Sequence, residues 1–157
     1  MSENLSGNTP LSDAIKVVKD GMAKGIMCPC CGQYARLYER SLTGATAASL
    51  IRLSKLPLGG YHHFSKFVGV TAGDYSKARY WGLMIEKPNE ADSTKKHSGL
   101  WCLTERGLNF VRRAIEIPRK IKLYDGVFYG YVDEDDLVNI EDCLGTRFNY
   151  QELMTGR

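Results

Sequence analysis

The sequence predicts an α+β fold on three observations. Apolar residues recur at helical spacing behind capping residues from position 11 to about 116. Two short apolar segments, 83–86 and 100–103, bracket the polar stretch 87–99. Asp125-Gly126 between two alternating runs marks a tight hairpin, because both central positions of such a turn need positive φ.

The elements follow in order. Residues 1–10 are polar and read as a disordered tail, and residues 11–42 as an N-terminal helix with a cysteine knuckle. Leu11 to Lys24 has Ser12 as a cap, Asp13 in the first turn and Ile15, Val18 and Met22 on one face. Gly25 is placed to end it. Cys28-Pro29-Cys30-Cys31-Gly32 precedes a short strand over 34–40. A core of residues 43–116 begins with a helix over 43–56, in which Ala47, Leu50 and Ile51 form the apolar stripe and Arg52 and Lys55 lie opposite. Pro57, Gly59 and Gly60 stop it. The aromatic stretch 61–70 fits either a short helix or an extended piece. Thr71-Ala72-Gly73-Asp74 reads as a capping box opening a helix to Trp81. Tyr75, Ala78 and Trp81 share its inner face, leaving Ser76, Lys77, Arg79 and Tyr80 outside. The hairpin 83–103 carries Lys87, Lys95, Lys96 and His97 at its tip. Thr104 caps a helix to about Ala114 that Pro118 closes. Residues 117–157 form an acidic extension: a hairpin of 120–124 and 127–132, then short helices capped by Asn139 and Asn149, packed on the core.

Composition narrows the class. A 157-residue chain is about one domain long, with the hydrophobic and charged content of a globular protein. No run is apolar enough to span a bilayer, and the first ten residues lack the basic and apolar regions of a secretory signal. The expected address is the cytoplasm, where five cysteines serve as thiols or metal ligands rather than disulfides. The net charge of +3 is unevenly divided: residues 36–122 hold 16 Lys+Arg against 7 Asp+Glu, whereas residues 123–157 hold 2 against 8. A basic middle attracts phosphate, and neutralisation of phosphate supplies most non-specific affinity for nucleic acid.

Taken together, the helix, the capped second helix, Trp81-Gly82-Leu83-Met84-Ile85-Glu86 before the polar hairpin and Leu100-Trp101-Cys102-Leu103-Thr104-Glu105-Arg106-Gly107 after it resemble the winged helix-turn-helix domain over residues 43–114. The CPxCG knuckle, GDYSKARYWGL, LTERGLNFV and LGTRFNYQELM resemble a family of uncharacterised phage and prophage proteins. That likeness implies a viral context, hence a host-cell cytoplasm, and brings no activity with it. The winged-helix likeness implies that the helix ending at Trp81 reads nucleic acid, in the first instance DNA, and that 87–99 form the wing. Ser76, Lys77, Arg79 and Tyr80 would then meet the groove, with Arg79 suited to a guanine edge. Arg52, Lys55, Lys95 and Lys96 would meet phosphates.

Cys28 and Cys31 have the spacing to clasp one tetrahedral metal, zinc being the natural choice. One of His62 and His63 is the first candidate to complete the set, before Cys30, His97, Cys102 and Cys143. Catalysis is not expected: the chain lacks the His-x-Glu of zinc deaminases, phosphate-binding Gly-x-x-x-x-Gly-Lys, Gly-x-Ser-x-Gly and His-Glu-x-x-His. The competing function is a module that binds a host or phage protein, inhibition of a host system included, through Tyr61, Phe64, Phe67, Tyr129 and Tyr131. Self-association is compatible with either function.

Overall fold

A computed structural model describes residues 5–68, 73–92 and 94–156. The fold is α+β. In chain order the elements are α1 (Leu11–Gly21), β1 (Ile26–Met27), β2 (Tyr34–Ala35), β3 (Tyr38–Ser41), α2 (Gly44–Ser54), β4 (His62–His63), α3 (Phe64–Phe67) and the 3-10 helix η1 (Gly73–Trp81). There follow β5 (Met84–Glu86), β6 (Leu100–Leu103), α4 (Glu105–Val111), β7 (Ile117–Pro118), β8 (Lys120–Tyr124), β9 (Val127–Tyr131), β10 (Leu137–Val138), α5 (Ile140–Leu144) and α6 (Tyr150–Thr155). They form two compact units: Met1–Arg40 with Lys120–Val132, and Ser41–Arg119 with Asp133–Arg157. The hairpin assigned from sequence to the C-terminal extension therefore packs with the N-terminal residues. No helix among the described residues is long and apolar enough to cross a membrane.

In the first unit, α1 starts directly after Pro10 and has no side-chain cap, so Ser12 is not the cap expected of it. Proline serves here because its fixed φ suits the entry to a helix. Ala14 and Met22 are buried, but Ile15, expected inside, is largely exposed. β1 and β2 pair antiparallel around the cysteines, and the Leu37 amide donates to the Met22 carbonyl at 2.9 Å. β3, β8 and β9 form a sheet in that order. Alternation buries Ile121 and Leu123 and turns Lys120, Lys122 and Tyr124 the other way. The turn residues Asp125 and Gly126 have φ of 50° and 72°, as the dipeptide predicts.

The second unit is built around α2. Thr43 caps it by accepting from the Thr46 amide at 3.2 Å. The sequence predicts a one-sided stripe, yet all but one of the residues from Ala45 to Leu53 are buried. Small side chains permit this: alanine, serine and threonine let α4, α5, α6 and η1 pack around α2 from several sides. The ambiguous stretch after Tyr61 resolves into the short strand β4 and the single turn α3. β4, β6 and β5 form an antiparallel sheet in that order, with His62 opposite Trp101 and Ile85 opposite Cys102. Trp81 and Trp101 are both about 1% exposed, and the Trp81 indole donates to the Pro118 carbonyl at 2.7 Å.

Thr104 caps α4 through the Gly107 amide at 2.9 Å. The helix ends at Val111, three residues earlier than its periodicity predicts, as Arg113 turns to φ 63°. β7 and β10, which carry no periodic signal, pair antiparallel. Asn139 closes a full capping box with Asp142 at the start of α5, and Asn149 caps α6. Ile117, Val138, Ile140 and Leu144 are all buried, so the C-terminal residues of this unit are part of its core.

Candidate nucleic-acid interface and cysteine knuckle

All eight side chains expected at nucleic acid lie in the second unit. η1 is a 3-10 helix rather than the predicted α-helix, and Thr71, on which the predicted capping box rests, lies outside the described residues. Three residues per turn align positions i and i+3 in rows. Tyr75, Ala78 and Trp81 make the inner row: Ala78 and Trp81 are buried, and the Tyr75 ring stacks on Phe64 with centroids 4.0 Å apart. The inner set matches the sequence reading because i, i+3 spacing places residues together in both helix types. Two further rows follow, Ser76 with Arg79 and Lys77 with Tyr80; of these four Arg79 is exposed and the other three are half-buried.

Arg79 is exposed and already oriented. Its guanidinium sits 5.0 Å from the centre of the Tyr80 ring and donates to the Tyr80 hydroxyl at 3.1 Å. A guanidinium braced by a neighbouring aromatic side chain loses less entropy on forming further bonds. The end of η1 is tied to the start of α4: the Arg106 side chain donates to the Trp81 carbonyl at 2.9 Å, and the Thr104 hydroxyl to the Gly82 carbonyl at 2.6 Å.

The 87–99 hairpin tip is internally braced. Asn89 Oδ1 accepts from the Asp92 amide, and Asp92 Oδ1 accepts from the amide and hydroxyl of Thr94. At its base Glu86 Oε1 meets His97 Nδ1 at 2.9 Å while Glu86 Oε2 accepts from the Gly99 amide. Lys95 and Lys96 are exposed on this frame, Lys95 4.0 Å from the Asp92 carboxylate. An ion pair so exposed and so long contributes little and leaves the ammonium open to another anion.

The two α2 cations differ. Arg52 is half-buried in the last turn. Lys55 donates to the Gly156 carbonyl at 2.6 Å, which commits it to the C-terminus of α6, where a cation is favoured. Lys55 is therefore drawn to the protein's own backbone rather than presented to a phosphate. Among the expected aromatic anchors, Phe64 is wholly buried, whereas Tyr61 and Phe67 are 41% and 62% exposed.

The cysteine knuckle belongs to the first unit. It sits at the end of the β1–β2 hairpin: the Cys28 amide donates to Gln33 O at 2.7 Å, the Gly32 amide to Cys28 O at 2.9 Å, and Gly32 takes φ 76°. The backbone amides of Cys31 and Cys30 donate to the Cys28 sulfur and hold its pKa below the ordinary thiol value, helped by the thiols of the same two residues. Among the described residues no group of three or more His, Cys, Asp or Glu side chains is arranged to hold a metal ion. His62 and His63 are engaged locally instead, His62 Nε2 with Pro57 O at 2.7 Å and His63 Nδ1 with Ser65 Oγ at 3.1 Å. Cys102 donates to Leu103 O. Burial, reinforced by Asp142, pushes the Cys143 thiol up to about 12. The described residues therefore bring no third ligand to Cys28 and Cys31.

A cleft of about 380 Å³ in the first unit, lined by Arg36, Tyr38, Arg40 and Lys122 together with Ala23, Leu37 and Glu39, was not foreseen. Glu39 is paired there with Lys120 at 3.8 Å, and Arg40 lies over the Tyr38 ring. The alternation Arg36, Tyr38, Arg40 is a sequence signal for one strand face, but Lys122 joins it only through β8. Compared with protein-family models, curated proteins and solved structures, the chain finds no match in any of the three.

Proposed function

We propose that the second unit is a winged-helix module that binds nucleic acid, duplex DNA in particular, and acts by occupancy rather than by catalysis. The observation that carries the reading is the strand order β4-β6-β5, in which a two-residue strand between the first and second helices pairs with the far strand of the hairpin. With that pairing the segment from α2 to β6 runs helix, strand, helix, helix, strand, polar hairpin, strand, the order expected of winged-helix domains. Both halves of the binding surface have chemistry suited to DNA: η1 carries Ser76, Lys77, Arg79 and Tyr80 on its two further rows, and the wing exposes Lys95 and Lys96. Arg79, braced on Tyr80, is assigned to base edges, and the wing lysines to phosphates. The sequence resemblance to phage and prophage proteins implies a viral setting only, and the regulatory task proposed for the module rests on its expected binding to DNA.

The test is fluorescence anisotropy of a labelled mixed-sequence duplex, a single-stranded DNA and a single-stranded RNA over a salt series. Phosphate-driven binding weakens steeply as salt rises. Preferential binding of the duplex with that dependence supports the reading, and Arg79→Ala should then flatten sequence preference. Exposure of Tyr61 and Phe67 favours a second reading, a protein-binding face on the same unit. Salt-insensitive or absent binding to all three nucleic acids favours it over the first.

A further inference from the structure

We infer that the knuckle is one half of a zinc site completed by the knuckle of a second copy of this chain, so that zinc joins two molecules through Cys28 and Cys31 of each. A structural zinc site takes four ligands in a tetrahedron, and two thiolates separated by two residues supply half of one. The local geometry for that half is already built: the hairpin is closed by the Cys28–Gln33 and Gly32–Cys28 hydrogen bonds, and Gly32 adopts the positive φ that such a turn needs.

The other half is not supplied by the described residues, among which no group of three ligating side chains forms. Space favours an incoming partner. Pro29, Cys30, Cys31, Gly32 and Gln33 are all exposed, and a side chain built at Gly32 would meet no atom within 4 Å. Directly beneath the tip, Met27 and Tyr34 face each other in register and are 55% and 53% exposed. Two apolar side chains next to an exposed pair of thiols form a patch that a two-fold-related copy of the same tip would cover, each knuckle contributing identical ligands. On binding, each of the four thiols releases its proton to solvent and its sulfur bonds to zinc, with no change of oxidation state. The inference concerns the first unit alone and stands or falls independently of nucleic-acid binding.

The full chain, reduced and stripped by chelator, is titrated with zinc while its mass is followed by light scattering. The expected result is saturation at about 0.5 zinc per chain, with conversion from the 17.6 kDa chain to twice that mass. Cobalt(II) substituted for zinc should show the thiolate charge-transfer band and tetrahedral absorption of an all-sulfur site. Cys28→Ser and Cys31→Ser should each abolish uptake and remain monomeric, while Cys102→Ser, in the second unit and with no part in the knuckle, should bind and dimerise as wild type does. Circular dichroism verifies that each variant is folded. If a serine variant misfolds, the stoichiometry and mass of the wild-type protein decide the matter. One zinc per monomeric chain, no zinc uptake, or loss of uptake in folded Cys102→Ser would each overturn the inference.

Discussion

Gly107→Ala tests how tightly α4 closes on the sheet. A Cβ at Gly107 would lie 1.9 Å from the Leu83 carbonyl oxygen and 2.8 Å from Leu103 Cδ1. The first contact is with backbone, so a rotamer change cannot relieve it. That carbonyl also accepts the Thr104 amide at 3.1 Å, at the cap of the same helix, so retreat of Leu83 weakens this bond. Overpacking of a well-filled interior costs about 1–3 kcal/mol, with a backbone clash near the top of the range. The strained hydrogen bond adds about 1 kcal/mol. Alanine's helix propensity returns about 1 kcal/mol. The expected net loss is about 3 kcal/mol, or roughly 6–12 °C in Tm for a chain of this size. Thermal denaturation followed by circular dichroism reads it, with Gly7→Ala, where no atom lies within 4 Å, as the unchanged control. A Gly107→Ala protein as stable as wild type would refute the close approach of α4 to β5, and with it the physical reason for glycine in Thr104-Glu105-Arg106-Gly107.

Two further predictions rest on buried groups. Trp81→Phe removes the indole N–H that satisfies the Pro118 carbonyl, and a buried acceptor left unpaired should lower stability by about 2 kcal/mol in urea denaturation; an unchanged midpoint would mean that water replaces the donor. Cys143 ionises near 9.0 when unfolded but is pushed up to about 12 when folded. Between those values the folded state binds more protons than the unfolded one, so stability falls as pH rises from 9 towards 12, by up to about 4 kcal/mol. Cys143→Ala should show a shallower alkaline decline, and an identical decline would remove this thiol from the account. Under native conditions at pH 8, alkylation followed by mass spectrometry should modify exposed Cys30 and Cys31 well before Cys143.

Local chemistry was the legible part of this sequence. Thr104, Asn139 and Asn149 cap helices as expected, because an N-cap needs only a side-chain oxygen and the next few amides. The Asp125-Gly126 turn follows from φ preferences of two residues. What depends on distant partners was hidden. β4, β7 and β10 are two residues each, too short to carry a period, and exist through the strands they pair with. The Pro10 boundary of α1 displaced Ser12 because backbone entry prevailed over side-chain capping. Ile15 fits the helical stripe but lies on a side that its unit leaves open. The placement of 120–132 with the N-terminal residues follows from β8 lying between β3 and β9, a pairing across some eighty positions that no window can see.

The candidate site divides in the same way. The inner row Tyr75, Ala78, Trp81 and the exposure of Lys95 and Lys96 could be read from spacing and polarity. The cation–ring contact of Arg79 with Tyr80 and the capture of Lys55 by Gly156 required the folded chain. The knuckle was legible as a thiol pair, since Cys-x-x-Cys with a following glycine prescribes its own turn. The histidines proposed to complete it could be checked only in three dimensions, where they bond to Pro57 and Ser65.

The claim at the centre of the account is that the wing of the second unit delivers cations to a phosphate backbone, and the salt dependence of duplex binding measures this most directly. Lys95→Glu with Lys96→Glu should weaken affinity equally for unrelated sequences and lower the slope of log affinity against log salt by about 2, near 0.9 for each phosphate that is no longer neutralised. A double variant whose affinity and slope both equal those of the wild-type protein would contradict the account.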